Sequence, residues 1–396
     1  MSRAENDEEI TRRDFLLRAA AAAAALGAAS GVTRLEVNAA VASPSRRARM
    51  KYRVLGRTKL KVSVLGLGTI KVESPAVVRA ALDKGINFFD TAECYQGGNG
   101  EVKLGKALEG RRDEAIVATK WHTDGSTPAK GLLASLDGSL KRLNMDHVDL
   151  IQIHGAENVR QVESDELWDA FSRAKKAGKV RFNGLSTHSN QVEVIQAAIK
   201  TGRYDAVLPA YNALVGERVA GVIAGAKEAD VGVIAMKVLQ PAHEAKIRHG
   251  IFKGLRGNPF HRSIQWVLRD KNVSTAIVDM PTFDELTSDC VAISMAQNLV
   301  ELDEFEHAVA LMSAGSCHLC GACTGQCPQR VKVADIMRYR LYHDGYGDRD
   351  RAAELYRSLP AGASAAACSN CEQCRVVCPW GVPVRARLEE VHGVLA

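Results

Sequence analysis

The chain has 396 residues, a formal net charge of +6, and 46% hydrophobic and 25% charged residues. That is ordinary globular composition, with length for one barrel-sized domain and a smaller one. The charge is mild for this size and no basic run is interleaved with aromatics, so nucleic acid is not an expected partner.

The N-terminus comes first. Residues 11–17 read TRRDFLL, Ala19–Ala29 are almost all alanine, and Ala40-Val41-Ala42 offers a small-x-small site before Ser43-Pro44. This is the layout of a cleavable signal peptide. Its apolar stretch is too short for a transmembrane helix, which needs about 20 residues. Arg12-Arg13 followed by Phe15-Leu16 resembles a twin-arginine (Tat) signal. The resemblance implies that residues 1–42 are a targeting segment read by the Tat translocon. It also implies a protein working in the periplasm or elsewhere outside the cytoplasm, or associated with the membrane. The plain alternative is an Ala-rich tail with a chance arginine pair.

Beyond residue 50 the chain alternates short β-rich runs with helical patterns. The runs are Val64–Thr69, Ile86–Asp90, Ala115–Trp121, Val148–His154, Val180–Ser186, Ala206–Tyr211, Val231–Lys237 and Ser274–Asp279. Helical periodicity fills the gaps, as in Ser164–Ala177 and Gln191–Lys200. Gly85, Gly178 and Gly202 each follow a lysine closely, as helix C-caps do. Eight alternations predict an α/β fold, a (β/α)8 TIM barrel, over residues 50–298. An open doubly wound sheet is the runner-up, but Gly66-Leu67-Gly68 lacks the third glycine of its phosphate loop.

The texture changes over residues 299–396. Leu302–Ser313 reads as helix, Val331–Leu359 as a polar, Tyr- and Arg-rich helical stretch, and Ala361–Ala367 as a small-residue linker. Around them stand two runs, Cys317-x2-Cys320-x2-Cys323-x3-Cys327-Pro328 and Cys368-x2-Cys371-x2-Cys374-x3-Cys378-Pro379. This spacing holds [4Fe–4S] clusters in bacterial ferredoxins, where the fourth cysteine of each run ligates the other cluster. Carried over, one cluster takes Cys317, Cys320, Cys323 and Cys378, and the other takes Cys368, Cys371, Cys374 and Cys327. A small α-helical ferredoxin-like domain with two [4Fe–4S] clusters is expected. Structural zinc is the alternative, but it rarely uses three cysteines at x2 spacing followed by x3-Cys-Pro.

In a (β/α)8 barrel the chemistry gathers at the C-terminal ends of the strands. There the sequence offers Asp90, Lys120 and His154, with Tyr95 on the loop after Asp90. Carbonyl reduction puts negative charge on oxygen as hydride reaches carbon. A phenol can supply the proton, a neighbouring ammonium would lower its pKa, a carboxylate can hold that ammonium, and an imidazole can hydrogen-bond the oxygen.

The order and spacing of these four residues resemble the aldo/keto reductase tetrad. LGLGT (65–69), FFDTAECY (88–95), DLIQIHG (149–155) and GLST (184–187) are similar to that family's strand ends. The cysteine runs resemble the branch with a C-terminal 4Fe–4S region. The resemblance implies that Tyr95 donates the proton, Lys120 tunes it, Asp90 holds Lys120 and His154 orients a small carbonyl or alcohol substrate. It implies an NAD(P)H cofactor bound near Gly68, Thr69, Ser186, Met236 and Lys237.

Departures weaken the cofactor contacts. Thr187 stands where the family has Asn, Leu208 where it has Gln, and Met236-Lys237 where a stacking Tyr is usual. Asp279, Met280 and Glu285 replace the residues around a 2′-phosphate, which favours NADH over NADPH. Trp121 and His188 line the pocket or pack in the core. Cys94 reads as a passive thiol and Cys290 as a buried helix residue. The expected function is carbonyl–alcohol interconversion with clusters relaying electrons to an unknown redox protein or quinone. The alternative is an exported electron-transfer protein whose barrel is a non-catalytic scaffold.

Overall fold

Parallel strands covered on both faces must be apolar throughout, and the barrel runs are. The protein is described by a computed structural model over residues 50–396, apart from 216, 248–250, 253 and 296–298. The expected targeting segment, residues 1–42, lies outside the described residues.

All eight expected runs form strands: β3 Leu65–Gly68, β4 Phe88–Asp90, β5 Ile116–Trp121, β6 Val148–Ile153, β7 Val180–Thr187, β8 Ala206–Pro209, β9 Gly232–Ala235 and β10 Thr275–Asp279. They close in that order into a parallel barrel, with β10 returning to β3. Every residue of β5 and β6 is buried. Gly85, Gly178 and Gly202 take positive φ, the left-handed backbone expected of C-caps.

One element was not anticipated. Tyr52–Val54 (β1) and Lys61–Ser63 (β2) form an antiparallel hairpin. Leu55 and Val62 join the apolar cluster inside the barrel. A Cβ at Gly232, where β9 begins, would come within 2.5 Å of Leu55. The hairpin therefore plugs the N-terminal end of the barrel and leaves the other end for chemistry.

The cysteine-rich part has its own apolar cluster, including Ile336, Tyr339, Tyr356, Leu388 and Leu395. Val331–Leu359 is not one helix. It is Val333–Arg340, a π turn at Leu341–Gly345, and a second helix at Arg349–Arg357. The expected linker is partly ordered too, because Ala365–Asn370 forms a 3-10 helix. Ala365 is small enough to be buried there while its N–H donates to Tyr356 Oη at 2.9 Å.

Helix Asn99–Leu108, which follows Tyr95, lies almost in contact with the end of helix Ala129–Leu143. Gly105 makes this possible, since a Cβ there would fall 2.1 Å from the Leu143 carbonyl oxygen. Gly105→Ala should force the helices apart and cost about 1–3 kcal/mol, seen as a lowered thermal midpoint.

Candidate functional site

The strands deliver their polar residues to one rim. Asp90 ends β4, and Lys120 lies next to the end of the adjoining β5. Both side chains are 2% exposed and paired. The Lys120 ammonium has three protons and three acceptors in reach: Asp90 Oδ1, the Thr91 carbonyl at 2.7 Å and Tyr95 Oη at 3.2 Å. The other Asp90 oxygen accepts from Gln152 of β6 at 3.0 Å. Burial pushes the Asp90 carboxyl up, and the charge of Lys120 opposes it.

Tyr95 opens a tight turn whose next residue, Gln96, has φ of +54°. That strained backbone is held by the Gln96 amide, which donates to the carbonyls of Thr69, Ile70 and Val72 at 3.1–3.2 Å. The Tyr95 pKa is raised well above the ordinary value by burial and then by the charge of Asp90. Burial and the carboxylate therefore favour the protonated phenol.

His154 follows β6, and its N–H donates to the Trp121 carbonyl at 2.8 Å. Its ring meets that of Tyr95 edge-on, centroids 5.8 Å apart. Burial and then Lys120 lower its pKa well below the usual value, so the imidazole is neutral. The structure thus brings all four expected residues together.

The expected nucleotide contacts are less simply placed. Thr69 is buried, and its hydroxyl has no partner. Ser186 Oγ donates to the Ile153 carbonyl and accepts from the Gly155 N–H, so its hydroxyl is committed to main chain. Met236 packs into the barrel interior. Gly68 faces Asp279, whose carboxyl burial pushes up to about 7 against the pull of Lys71. Lys237 meets the cysteine-rich part, its ammonium 3.2 Å from Tyr342 Oη and 4.6 Å from that ring's centroid. Trp121 belongs to the apolar core outside the barrel, not to the mouth.

Tyr342 belongs to the π turn of the cysteine-rich part, and its neighbours come with it. Lys71 donates to the Tyr346 carbonyl at 2.8 Å and pairs with Asp348 at 3.8 Å. His243 meets the Gly345 carbonyl at 2.9 Å, and Arg340 pairs with Glu244 at 3.6 Å. The Arg351 guanidinium lies 5.5 Å from the Tyr95 ring centroid. Burial would raise the Tyr342 pKa, but Lys237, Arg338 and Arg351 together bring it below the usual value.

None of the ten cysteines forms a disulfide, and Cys290 is only partly buried. Of the eight in the runs, Cys323 feels the charges of Cys320 and Cys378, and Cys368 those of Cys327, Cys374 and Cys371. Burial pushes Cys317 up to about 12 and Cys323 up to about 11. Thiols so placed ionise only with a cation to share, which suits an iron cluster. The runs are clamped by His318 stacked on Trp380 at 3.7 Å and by Gln326, which bonds both the N–H and carbonyl of Val377.

Residues 65–248 match the model of the aldo/keto reductase family. An uncharacterized oxidoreductase, YrpG of Bacillus subtilis, is 34% identical over 219 residues, 48% of this chain and 67% of that protein. The chain belongs to the aldo/keto reductase family. L-galactose dehydrogenase of Arabidopsis thaliana is 28% identical over 292 residues, 63% of this chain and 90% of that one. A solved aldo-keto reductase from Bacillus halodurans shares the fold at TM-score 0.56 and 24% identity, covering 65% of this chain and 96% of its own. Residues 313–382 match a 4Fe-4S dicluster domain. Residues 2–32 match the TAT signal of the ubiquitinol-cytochrome C reductase Fe-S subunit, which points to export by the twin-arginine pathway. No described helix is long and apolar enough to cross a membrane.

This aldo/keto reductase is accordingly an oxidoreductase with an iron–sulfur relay, and its family implies a nicotinamide cofactor. The sequence reading missed the module residues at its mouth, Arg338, Tyr342, Tyr346 and Arg351. Their signal was the density of Tyr and Arg between the cysteine runs, but periodicity alone does not say what such a stretch docks on. Lys120→Met should leave Asp90 charged and alone, costing about 3–5 kcal/mol in thermal or denaturant melts. Adding Asp90→Asn to that variant should recover most of the loss.

Proposed function

We propose that this chain interconverts a small aldehyde or ketone with its alcohol, using Tyr95 as proton donor. One observation carries the reading: Tyr95 Oη lies 3.2 Å from an ammonium that Asp90 locks in place. As charge builds on the substrate oxygen, Tyr95 gives up its proton, and Lys120 stabilises the phenolate left behind. The neutral His154 ring beside it donates a hydrogen bond that orients the oxygen. Gln152 keeps Asp90 aimed at Lys120 throughout.

The eight cysteines hold two [4Fe–4S] clusters, one on Cys317, Cys320, Cys323 and Cys378, the other on Cys368, Cys371, Cys374 and Cys327. These clusters carry single electrons. The electrostatic neighbours of Cys323 and Cys368 support this crossed assignment. Gln240 donates to the Cys317 carbonyl at 2.9 Å, so the first set adjoins the barrel rim. Residues 50–298 serve as the catalytic barrel and 299–396 as the electron-transfer unit. The helix Leu299–Ser313 ties the two through Phe305 and Met312, which pack on Leu214.

A nicotinamide, when bound, supplies hydride. Tyr342 and Tyr346 lie over Lys237, so a nicotinamide reaching that side chain would require the π turn to shift. NADH is favoured over NADPH, since Asp279 and Glu285 would repel a 2′-phosphate. The covered mouth also favours the second reading, in which the barrel only supports an exported electron carrier. In either case residues 1–42 direct export through the Tat translocon, and the partner is an extracytoplasmic redox protein or quinone.

Protein purified anaerobically with its clusters should contain about eight irons per chain. NADH should bleach the cluster absorbance faster than NADPH. Bleaching by dithionite alone would put the electron-carrier reading first. Tyr95→Phe should lower carbonyl turnover about 100-fold or more at unchanged iron content; unchanged turnover would remove Tyr95 from the proton step.

A further inference from the structure

Cys94 and His122 have no part in the proton chemistry above. Cys94 leads into the Tyr95 turn after β4, His122 follows β5, and His154 follows β6. Three neighbouring strands thus each place one soft or borderline donor on the same stretch of rim. Among the described residues these three alone form such a group, their ligand atoms all within 4.8 Å of one another. Cys94 Sγ stands 3.8 Å from His154 Nδ1, and the rings of His122 and His154 lie 4.4 Å apart, tilted by 56°.

A tetrahedral zinc ion, with bonds of about 2.3 Å to sulfur and about 2.0 Å to nitrogen, holds its donor atoms about 3.5 Å apart. The Cys94–His154 pair is already near that separation. The widest pair must close by roughly 1 Å, which side-chain rotation of the exposed His122 can provide. We propose that Cys94, His122 and His154 form a binding site for a zinc-class divalent transition metal at the barrel mouth.

The donor set selects the metal. One thiolate and two imidazoles suit zinc and its neighbours, and disfavour magnesium and calcium, which require oxygen ligands. Binding releases the thiol proton of Cys94 to solvent, leaving thiolate on the metal. Three protein ligands leave a fourth position, as catalytic rather than structural zinc sites do. His154 also meets Tyr95 edge-on. With the ion bound, a carbonyl oxygen in the fourth position would be polarised by the metal in place of the His154 hydrogen bond, since a ligating nitrogen cannot also donate to it. Glu93 adds negative charge close by, its carboxylate held by the His122 N–H at 3.3 Å and Ser135 Oγ at 2.6 Å. That charge and the thiolate offset the cations Lys120 and Arg351 near Cys94. Use of the ion in carbonyl chemistry rests on the proposed function; its binding does not.

The test uses cluster-loaded protein, incubated anaerobically with zinc and desalted. Zinc and iron are counted by mass spectrometry, and the zinc shell is read by X-ray absorption. One zinc per chain is expected, with one sulfur and two nitrogens around it. Cys94→Ala and His122→Ala should each weaken zinc binding by about 100-fold at unchanged iron content and melting temperature. An all-sulfur shell, no retained zinc, or wild-type zinc affinity in either variant would overturn the site. Tyr95→Phe separates the two proposals. It should retain zinc whatever it does to turnover, so loss of the proton-donor reading leaves the metal count unchanged.

Discussion

Lys120 can stay charged inside the barrel only because Asp90 stands opposite it. Removing an ammonium or a carboxylate from water costs several kcal/mol, and each returns that cost only if the other is present and fully hydrogen-bonded. Here the satisfaction is complete. The ammonium spends its three protons on Asp90, Thr91 and Tyr95, and the second Asp90 oxygen takes Gln152. Adjacent strands β4, β5 and β6 supply the members, so the barrel's own register assembles the site. The Tyr95 turn is pinned to that pair at one end and by the Gln96 amide at the other.

The same pair sets the electrostatics around it. Half-buried Tyr95 beside a carboxylate keeps its proton, and half-buried His154 beside an ammonium stays neutral. Under the proposed mechanism, a neutral phenol and a neutral imidazole would respond to negative charge as it appears on a substrate oxygen, as selective stabilisation of a transition state requires.

The cysteine-rich module does more than hang beside this barrel. Its π turn lays Tyr342 on Lys237 and brings the Tyr346 carbonyl to Lys71, while the following helix sets Arg351 over Tyr95. π turns are rare and concentrate at functional places, because the extra residue re-aims the side chains around it. The relay and the chemistry therefore share one wall, and the first cysteine run is hydrogen-bonded to the barrel through Gln240.

Much of this was legible in the sequence. Eight apolar runs of strand length, each followed by a helical pattern, sufficed for the barrel, since hydrophobic periodicity is local. The Asp90, Tyr95, Lys120 and His154 set was legible once those runs were placed, because strand ends converge in any such barrel. The cysteine runs declared their chemistry by spacing alone. Other features depend on contacts between distant segments. Leu55 reads as an ordinary loop residue until it meets Gly232. The stretch around Arg338 to Arg351 reads as a solvated polar helix until its charges find Lys237, Glu244 and Tyr95. Cys94 reads as a passive thiol until β4, β5 and β6 set it beside His122 and His154. Local pattern fixes which elements form and which ends they expose. Only tertiary packing decides which buried charges find partners, because pairing energy depends on distances between residues far apart in the chain.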